Sequence, residues 1–293
     1  MIEIRHGRLF FVHVFTGIVL LIFANAASAL TISNQVGYYG TDFYQEVHSG
    51  KRDKDIISSI RKVLESRHQR TRSGFDIVGA PCDTAAVNCY QHKSVGYGTA
   101  RKVLMGTLHL KGSAGNYSIR DVYCEKDFSG PSIGVGPGRV PKNTELNTEH
   151  TWPQSRFSSG FGKDMQKSDL HHLFPTDSEI NGVRGNHKLG DVAIPAKALK
   201  CPVSKVGQAS GSSEVIFEPP VAHKGNAARA LFYFSVRYHI VLDPREEAFL
   251  KAWNRLDPVD QAERDRNDAI YKVQGVRNPF VDHPELVDEI SDF

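Results

Sequence analysis

Between Asn147 and Asp191 the chain gathers most of the side chains that could do acid–base or metal chemistry. They are Glu149, His150, Asp169, His171, His172, Asn181, Arg184, Asn186 and His187. Cleaving a phosphodiester needs a base for water, a cation for the phosphoryl oxygens, and an acid or metal for the leaving oxygen. Histidine titrates near neutrality and can be the base. A carboxylate and an amide carbonyl are hard oxygen donors suited to Mg²⁺ or Ca²⁺, with water completing the shell. Glu149 and Asn181 form such a pair, and His150 stands beside them. The plain alternative is that each histidine is a structural hydrogen-bonder. The tandem His171-His172 also raises zinc, as in a peptidase. Adjacent strand histidines diverge, however, and the H-E-x-x-H helix of that class is missing.

These residues need elements to position them. Successive strand residues point to opposite faces, so Glu149 and His150 share a site only at a strand end or a bulge. Ser168–Phe174 reads as a second short strand. Thr176 with Glu179 makes a capping box, which predicts a helix from about Asp177 that displays Asn181 in its early turns. The predicted unit is strand, loop, strand, helix. Upstream, Ile56, Ile60, Val63 and Leu64 lay an apolar stripe along a helix. Its other face and its exit carry Lys51, Arg52, Lys54, Arg61, Lys62, Arg67, Arg70 and Arg72 against Asp53, Asp55 and Glu65. Both a solvated face and a phosphate-facing surface fit that pattern, the latter making Arg61, Lys62 and Arg67 candidate nucleic-acid contacts.

Tyr97–Leu108 reads as a short helix and Tyr117–Tyr123 as a strand. Gly130–Pro141 is a connecting loop, because no Lys-Ser/Thr follows to make a phosphate cradle. Helices are predicted over Ala227–Tyr238, Glu246–Leu256 and Asp260–Val273, with Phe232, Tyr233 and Phe234 in the core. The class is α+β, mainly helical, in one domain over 30–293. A charged fraction of 24% and a hydrophobic fraction of 40% are ordinary for a globular chain. A net charge of +3 does not by itself argue for a nucleic-acid partner, which needs a local basic face.

Residues 1–29 read as a signal peptide. Arg5 and Arg8 precede the apolar run Leu9–Phe23, and Ala27-Ser28-Ala29 is a small-x-small cleavage signature. A retained anchor is the alternative, but His13 and Thr16 interrupt the run. Export places the protein in the periplasm or outside the cell, with no stable membrane association after processing. In that compartment Cys82, Cys89, Cys124 and Cys201 read as two disulfides. Of the three connectivities, Cys82–Cys89 with Cys124–Cys201 is favoured.

Several blocks, in order, resemble the bacterial endonuclease I family, the secreted and periplasmic His-Me finger (ββα-metal) nucleases. They are Asn147-Thr148-Glu149-His150-Thr151-Trp152-Pro153-Gln154-Ser155, Asp169-Leu170-His171-His172-Leu173-Phe174-Pro175 and Ile180-Asn181-Gly182-Val183-Arg184-Gly185-Asn186. Phe217-Glu218-Pro219-Pro220, Ala228–Phe234 and Gln274–Pro284 are similar as well. The resemblance implies a ββα-metal core at about 147–191, with His150 as general base and Glu149 and Asn181 holding one Mg²⁺ (Ca²⁺ or Mn²⁺ as substitutes). It implies a nonspecific endonuclease on DNA, and RNA as well, leaving 5′-phosphate and 3′-hydroxyl ends, and acting as a monomer. Contact would run through the phosphate backbone, which carries no sequence information. Some members carry an arginine in a cysteine-containing insertion after the Glu-His pair. Thr151–Ser168 is short and cysteine-free here, which leaves Arg156 and Arg184 as candidates for the phosphate. The rival reading is a nucleic-acid-binding protein without catalysis.

Overall fold

The computed structural model describes residues 30–293. The signal-peptide segment expected at 1–29 lies outside the described residues. Helices α1 (Gly40–His48) and α2 (Asp53–Glu65) come first. Three two-residue strands follow, β1 (His68–Gln69), β2 (Ile77–Val78) and β3 (Cys89–Tyr90), paired in the order β2-β1-β3. Helix α3 (Tyr97–Val103) runs into a wider turn over Leu104–Leu108, and a meander follows of β4 (Leu110–Ser113), β5 (Asn116–Arg120) and β6 (Asp127–Ser129).

The central unit is β7 (Leu146–His150), α4 (Lys163–Ser168), β8 (Leu173–Asp177) and α5 (Ser178–Arg184). Strands β7 and β8 are antiparallel, with Glu149 opposite Phe174 and His150 opposite Leu173. A four-stranded sheet is ordered β10 (Ile194–Pro195), β11 (Lys205–Gln208), β12 (Val215–Glu218) and β9 (Lys188–Leu189), the last pair parallel. The chain ends in α6 (Val221–Tyr238), α7 (Pro244–Leu256), α8 (Gln261–Gln274) and α9 (Pro279–Asp282). The architecture is a mixed one of α-helices and small sheets. Among the described residues, no helix is long and apolar enough to cross a membrane.

Helix α6 is the axis of the core. Ala227, Ala228, Leu231, Phe232, Tyr233, Phe234 and Val236 are buried around its whole circumference, not on one flank as the periodicity suggests. A helix apolar on all sides must be enclosed, and α2, α7 and α9 enclose it. Its buried Arg229 is neutralised by Glu263 at 2.6 Å and also donates to Asn254.

Two local predictions require correction. Ser168–Phe174 is not a strand: α4 ends at Ser168, Leu170–His172 is a 3-10 turn, and pairing begins only at Leu173. The cause is Asp169. One carboxylate oxygen caps the turn by accepting from the His171 N–H, and the other accepts the hydroxyls of Tyr233 and Tyr238, each at 2.8 Å. The cap of α5 is Asp177, not Thr176, because Asp177 accepts from the N–H groups of Glu179 and Ile180 while Thr176 still pairs in β8. The strand expected over Tyr117–Tyr123 stops at Arg120 because Asp121 folds the next residues into a turn, accepting from the N–H groups of Tyr123 and Cys124. Disulfides join Cys82 to Cys89 and Cys124 to Cys201.

Candidate active site

Glu149 and His150 line one cleft together with Tyr97, Gln154, Asn181 and Arg184. They share it because His150 is the last residue of β7, where alternation no longer dictates direction. The Thr151 N–H still reaches the His172 carbonyl at 3.0 Å, so the strand end is fixed while the imidazole is released from the pleat.

Glu149 is only 2% exposed. Its Oε1 accepts the Tyr123 hydroxyl at 2.8 Å and faces the Arg184 guanidinium at 3.0 Å. Its Oε2 has no hydrogen-bond partner among the described residues. Burial pushes the Glu149 carboxyl up, opposed by Arg184 and by the Tyr123 hydroxyl. On α5, Asn181 donates its Nδ2 to the Thr148 carbonyl at 3.4 Å, which leaves Oδ1 as the uncommitted end of the amide. Gly185, at φ 52, closes α5 in a conformation that favours glycine and stops the helix just beyond Arg184.

His150 Nε2 lies 3.2 Å from the Lys167 carbonyl. A carbonyl can only accept, so Nε2 carries the proton and Nδ1 is the basic nitrogen. Nδ1 faces the exposed Gln154, whose Nε2 is 3.4 Å away. Burial lowers the His150 pKa to about 4, the Lys167 carbonyl opposing and the charges of Lys167 and Arg184 adding to the fall. Tyr97, His172 and Phe157 surround the ring at 5.5, 5.4 and 6.3 Å between centroids.

The other sequence candidates are not brought to free positions in the cleft. Arg184 lines it but is 1% exposed. Besides Glu149 it donates to the carbonyls of His150 at 3.1 Å and Thr151 at 2.6 Å, so its donors face inward and cannot serve a phosphate. Arg156 turns to Glu246 at 3.2 Å and lies over the Trp152 ring, outside the cleft lining. Arg61 donates to the Val236 carbonyl and Arg67 to the Cys82 carbonyl, while Lys62 lines a different cleft with Asp42, Glu46 and Asp76. None of these three reaches the Glu149–His150 cleft. For the zinc alternative, His171 and His172 are fully enclosed, with Nε2 of each held by a carbonyl, of Val276 and of Gln166. Among the described residues no group of three or more His, Cys, Asp or Glu is placed to hold a metal. Glu149 Oε2 and Asn181 Oδ1, two hard oxygens at one cleft, suit a cation that keeps most of its water, as Mg²⁺ does.

Tyr123, Gln154 and Lys167 did not stand out in the sequence. Tyr123 is brought to Glu149 from another element. Its carbonyl accepts the Ser204 hydroxyl at 2.7 Å, and the neighbouring Cys124 is tied to Cys201. Lys167 contributes only a backbone carbonyl, for which no side-chain signal exists.

A buried imidazole with one basic nitrogen turned to the cleft, next to a carboxylate–amide oxygen pair, is the equipment of a hydrolytic centre. The chain belongs to the endonuclease I family, whose model matches residues 86–285. It is 37% identical over 183 residues to an extracellular ribonuclease of Bacillus subtilis (strain 168), covering 56% of this chain and 57% of that protein. It is 30% identical over 184 residues to an extracellular deoxyribonuclease of Aeromonas hydrophila, covering 54% and 78%. A periplasmic deoxyribonuclease of Aeromonas hydrophila is 33% identical over 127 residues, covering 43% and 51%. The chain therefore spans little more than half the length of the Bacillus relative.

Proposed function

We propose that this chain is an exported, metal-dependent endonuclease that hydrolyses phosphodiester bonds in DNA and RNA with little sequence preference. The observation that carries the reading is the orientation of His150. Its Nε2–H is held by the Lys167 carbonyl, and Nδ1 is left basic beside Glu149 and Asn181. The strand pair β7–β8 with α5 is then a ββα-metal core, inside one nuclease domain over 30–293 that follows a signal peptide. Relatives named for ribonuclease and for deoxyribonuclease activity support both substrates, and their extracellular and periplasmic names support export.

In this mechanism His150 Nδ1 takes the proton from the attacking water. Its lowered pKa keeps the ring neutral, and so able to accept, at neutral pH. Glu149 Oε2 and Asn181 Oδ1 would hold Mg²⁺, with Ca²⁺ or Mn²⁺ as substitutes. When bound, the ion supplies positive charge for the phosphoryl oxygens and for the departing 3′ oxygen. Arg184 and Tyr123 fix Glu149 by its other oxygen, so that Oε2 stays turned to the cleft. Gln154 at the rim holds Nδ1 in place until water replaces its amide. Cleavage on the 3′-oxygen side leaves 5′-phosphate and 3′-hydroxyl ends. Action as a monomer belongs to the same reading and comes from the family resemblance.

The test incubates purified protein with plasmid and with RNA, in Mg²⁺ or in EDTA, and maps the ends produced. Cleavage is expected only with Mg²⁺. His150→Ala should lower the rate by about 10²–10⁴, the usual worth of a general base, and retain DNA binding. Intact plasmid in Mg²⁺ with a native fold would favour the rival, a binding protein without catalysis. Unchanged turnover in His150→Ala would remove that residue from the base role.

A further inference from the structure

A second cleft, of about 630 Å³, opens between β3 and the C-terminal end of α8. Its charged lining consists of Arg70, Lys93 and Lys272, and among the described residues no carboxylate lines it. All three cations are exposed. The Arg70 guanidinium lies over the Tyr90 ring at 4.3 Å and donates to the Val87 carbonyl at 3.4 Å, and Tyr90 meets Tyr271 through their hydroxyls at 2.9 Å, giving the cleft an aromatic floor. Asp76 lies behind this floor, where it accepts the Tyr90 hydroxyl and its charge is felt at Arg70, but it does not line the cleft. The charge of the lining itself is positive.

The cleft also lies a short run of chain from the site around His150. From Lys93 the chain runs four residues to Tyr97, which lines the His150 cleft. At ~3.5 Å per residue that is at most about 14 Å, or roughly the axial rise of four nucleotides at ~3.4 Å each. Lys167 Nζ lies 4.5 Å from the ring centre of Tyr97. The floor is also tied to the Leu170–His172 turn that precedes β8. Lys93 N–H donates to the Gln274 carbonyl, and the Gln274 side chain bonds Leu170 N–H at 2.8 Å and the Ser168 carbonyl at 3.2 Å.

We propose that this groove is a polynucleotide subsite, in which Arg70, Lys93 and Lys272 hold phosphates of the strand being cut, a few nucleotides from the scissile bond. It rests on the nuclease reading for the strand's identity. It also moves the basic nucleic-acid surface from α2, where the sequence suggested it, to the cleft between β3 and the C-terminal end of α8. Arg70 was visible in the sequence only as the tail of the basic run after α2. Lys93 and Lys272 are isolated residues that only the fold unites.

The test compares wild type with Arg70→Gln/Lys93→Gln/Lys272→Gln, binding a single strand of about 20 nucleotides in EDTA at 50 to 200 mM salt. Losing three phosphate contacts at ~0.7 each should flatten the log–log salt slope by about 2, so the wild-type advantage shrinks on the order of 20-fold across that range. In Mg²⁺ the variant should show a raised KM and an unchanged kcat on the long strand. A trinucleotide, too short to span the clefts, should be cut equally by both proteins. Lys54→Gln/Lys62→Gln/Arg67→Gln removes the same charge from the α2 region and should leave the slope unchanged. An unaltered slope in the groove variant, or equal flattening in the α2 variant, overturns the proposal. Wild type that binds with the expected slope difference but cuts nothing in Mg²⁺ sinks the nuclease reading and leaves the groove standing.

Discussion

The most informative perturbation is Arg184→Met, because Arg184 is almost wholly buried and yet holds the candidate metal ligand. Its guanidinium meets Glu149 at 3.0 Å and the carbonyls of His150 and Thr151 at 3.1 and 2.6 Å, and Arg184 and Glu149 are 1% and 2% exposed. Methionine fills similar volume but strands a buried carboxylate. Breaking one partner of a buried pair costs about 3–5 kcal/mol, and each orphaned carbonyl adds about 1 kcal/mol. A total of about 5–7 kcal/mol in a chain of this size lowers Tm by roughly 10–28 °C. The assay is thermal and urea unfolding in EDTA, so that bound metal does not mask the effect. The sharper reading is the double variant Glu149→Gln/Arg184→Met, in which no charge is stranded. It should be more stable than Arg184→Met alone by about 2 kcal/mol, a coupling of the size seen for residues in direct contact. A single variant that loses less than about 1 kcal/mol, or a cycle that is simply additive, would refute the argument that Arg184 exists to balance and aim Glu149.

Acid should weaken the fold well before its carboxylates titrate. Burial lowers His171 and His223 to about 3 and His150 and His283 to about 4, all below the ordinary 6.5. Their contribution is intact above 6.5 and is lost as pH falls through the interval down to those folded values, because the unfolded chain binds the proton first. Each costs up to ~1.4 kcal/mol per pH unit within that interval. The raised carboxyls of Glu149 and Glu263 return part of this only at the acid end. Tm measured from pH 8 to 4.5 in EDTA should hold level and then fall below about 6.5; a level profile down to 4.5 contradicts the assignment of neutral buried imidazoles. The Cys124–Cys201 disulfide closes a separation of 77 residues and stands beside Tyr123. Replacing both by alanine should cost roughly 4 kcal/mol from loop entropy, and should raise the Mg²⁺ concentration needed for half-maximal intrinsic-fluorescence change or protection from proteolysis. Unchanged stability and metal response would separate that bridge from the site.

The chemistry-bearing trio was legible because two of its members are adjacent and the third lies on a helix whose start is written locally. Even so, the local signals misplaced details. The tandem histidines looked like strand because their types are compatible with it. Asp169 forms a turn there instead, because Tyr233 and Tyr238 on α6 donate to its carboxylate. No pattern within Ser168–Phe174 reports hydroxyls that arrive from more than sixty residues away. The arginine question failed for the same reason. Arg156 and Arg184 were equally good candidates by type, and only packing shows that one serves Glu246 and the other Glu149.

The sequence by itself determined the apolar stripe of α2, the buried aromatics of α6, the helical C-terminal third and the gathering of Glu149, His150 and Asn181 in one polar-rich segment. All of these rest on residue type and short-range periodicity, which act within a few turns or strand positions. Tertiary structure decided which oxygen of Glu149 is free, which nitrogen of His150 is basic, and where unpaired positive charge collects. Those outcomes depend on a Tyr123 hydroxyl, a Lys167 carbonyl and three cations spaced across the chain from Arg70 to Lys272. Hydrogen bonds and charges act over a few ångströms of space, and distance along the chain does not foretell which groups come that close.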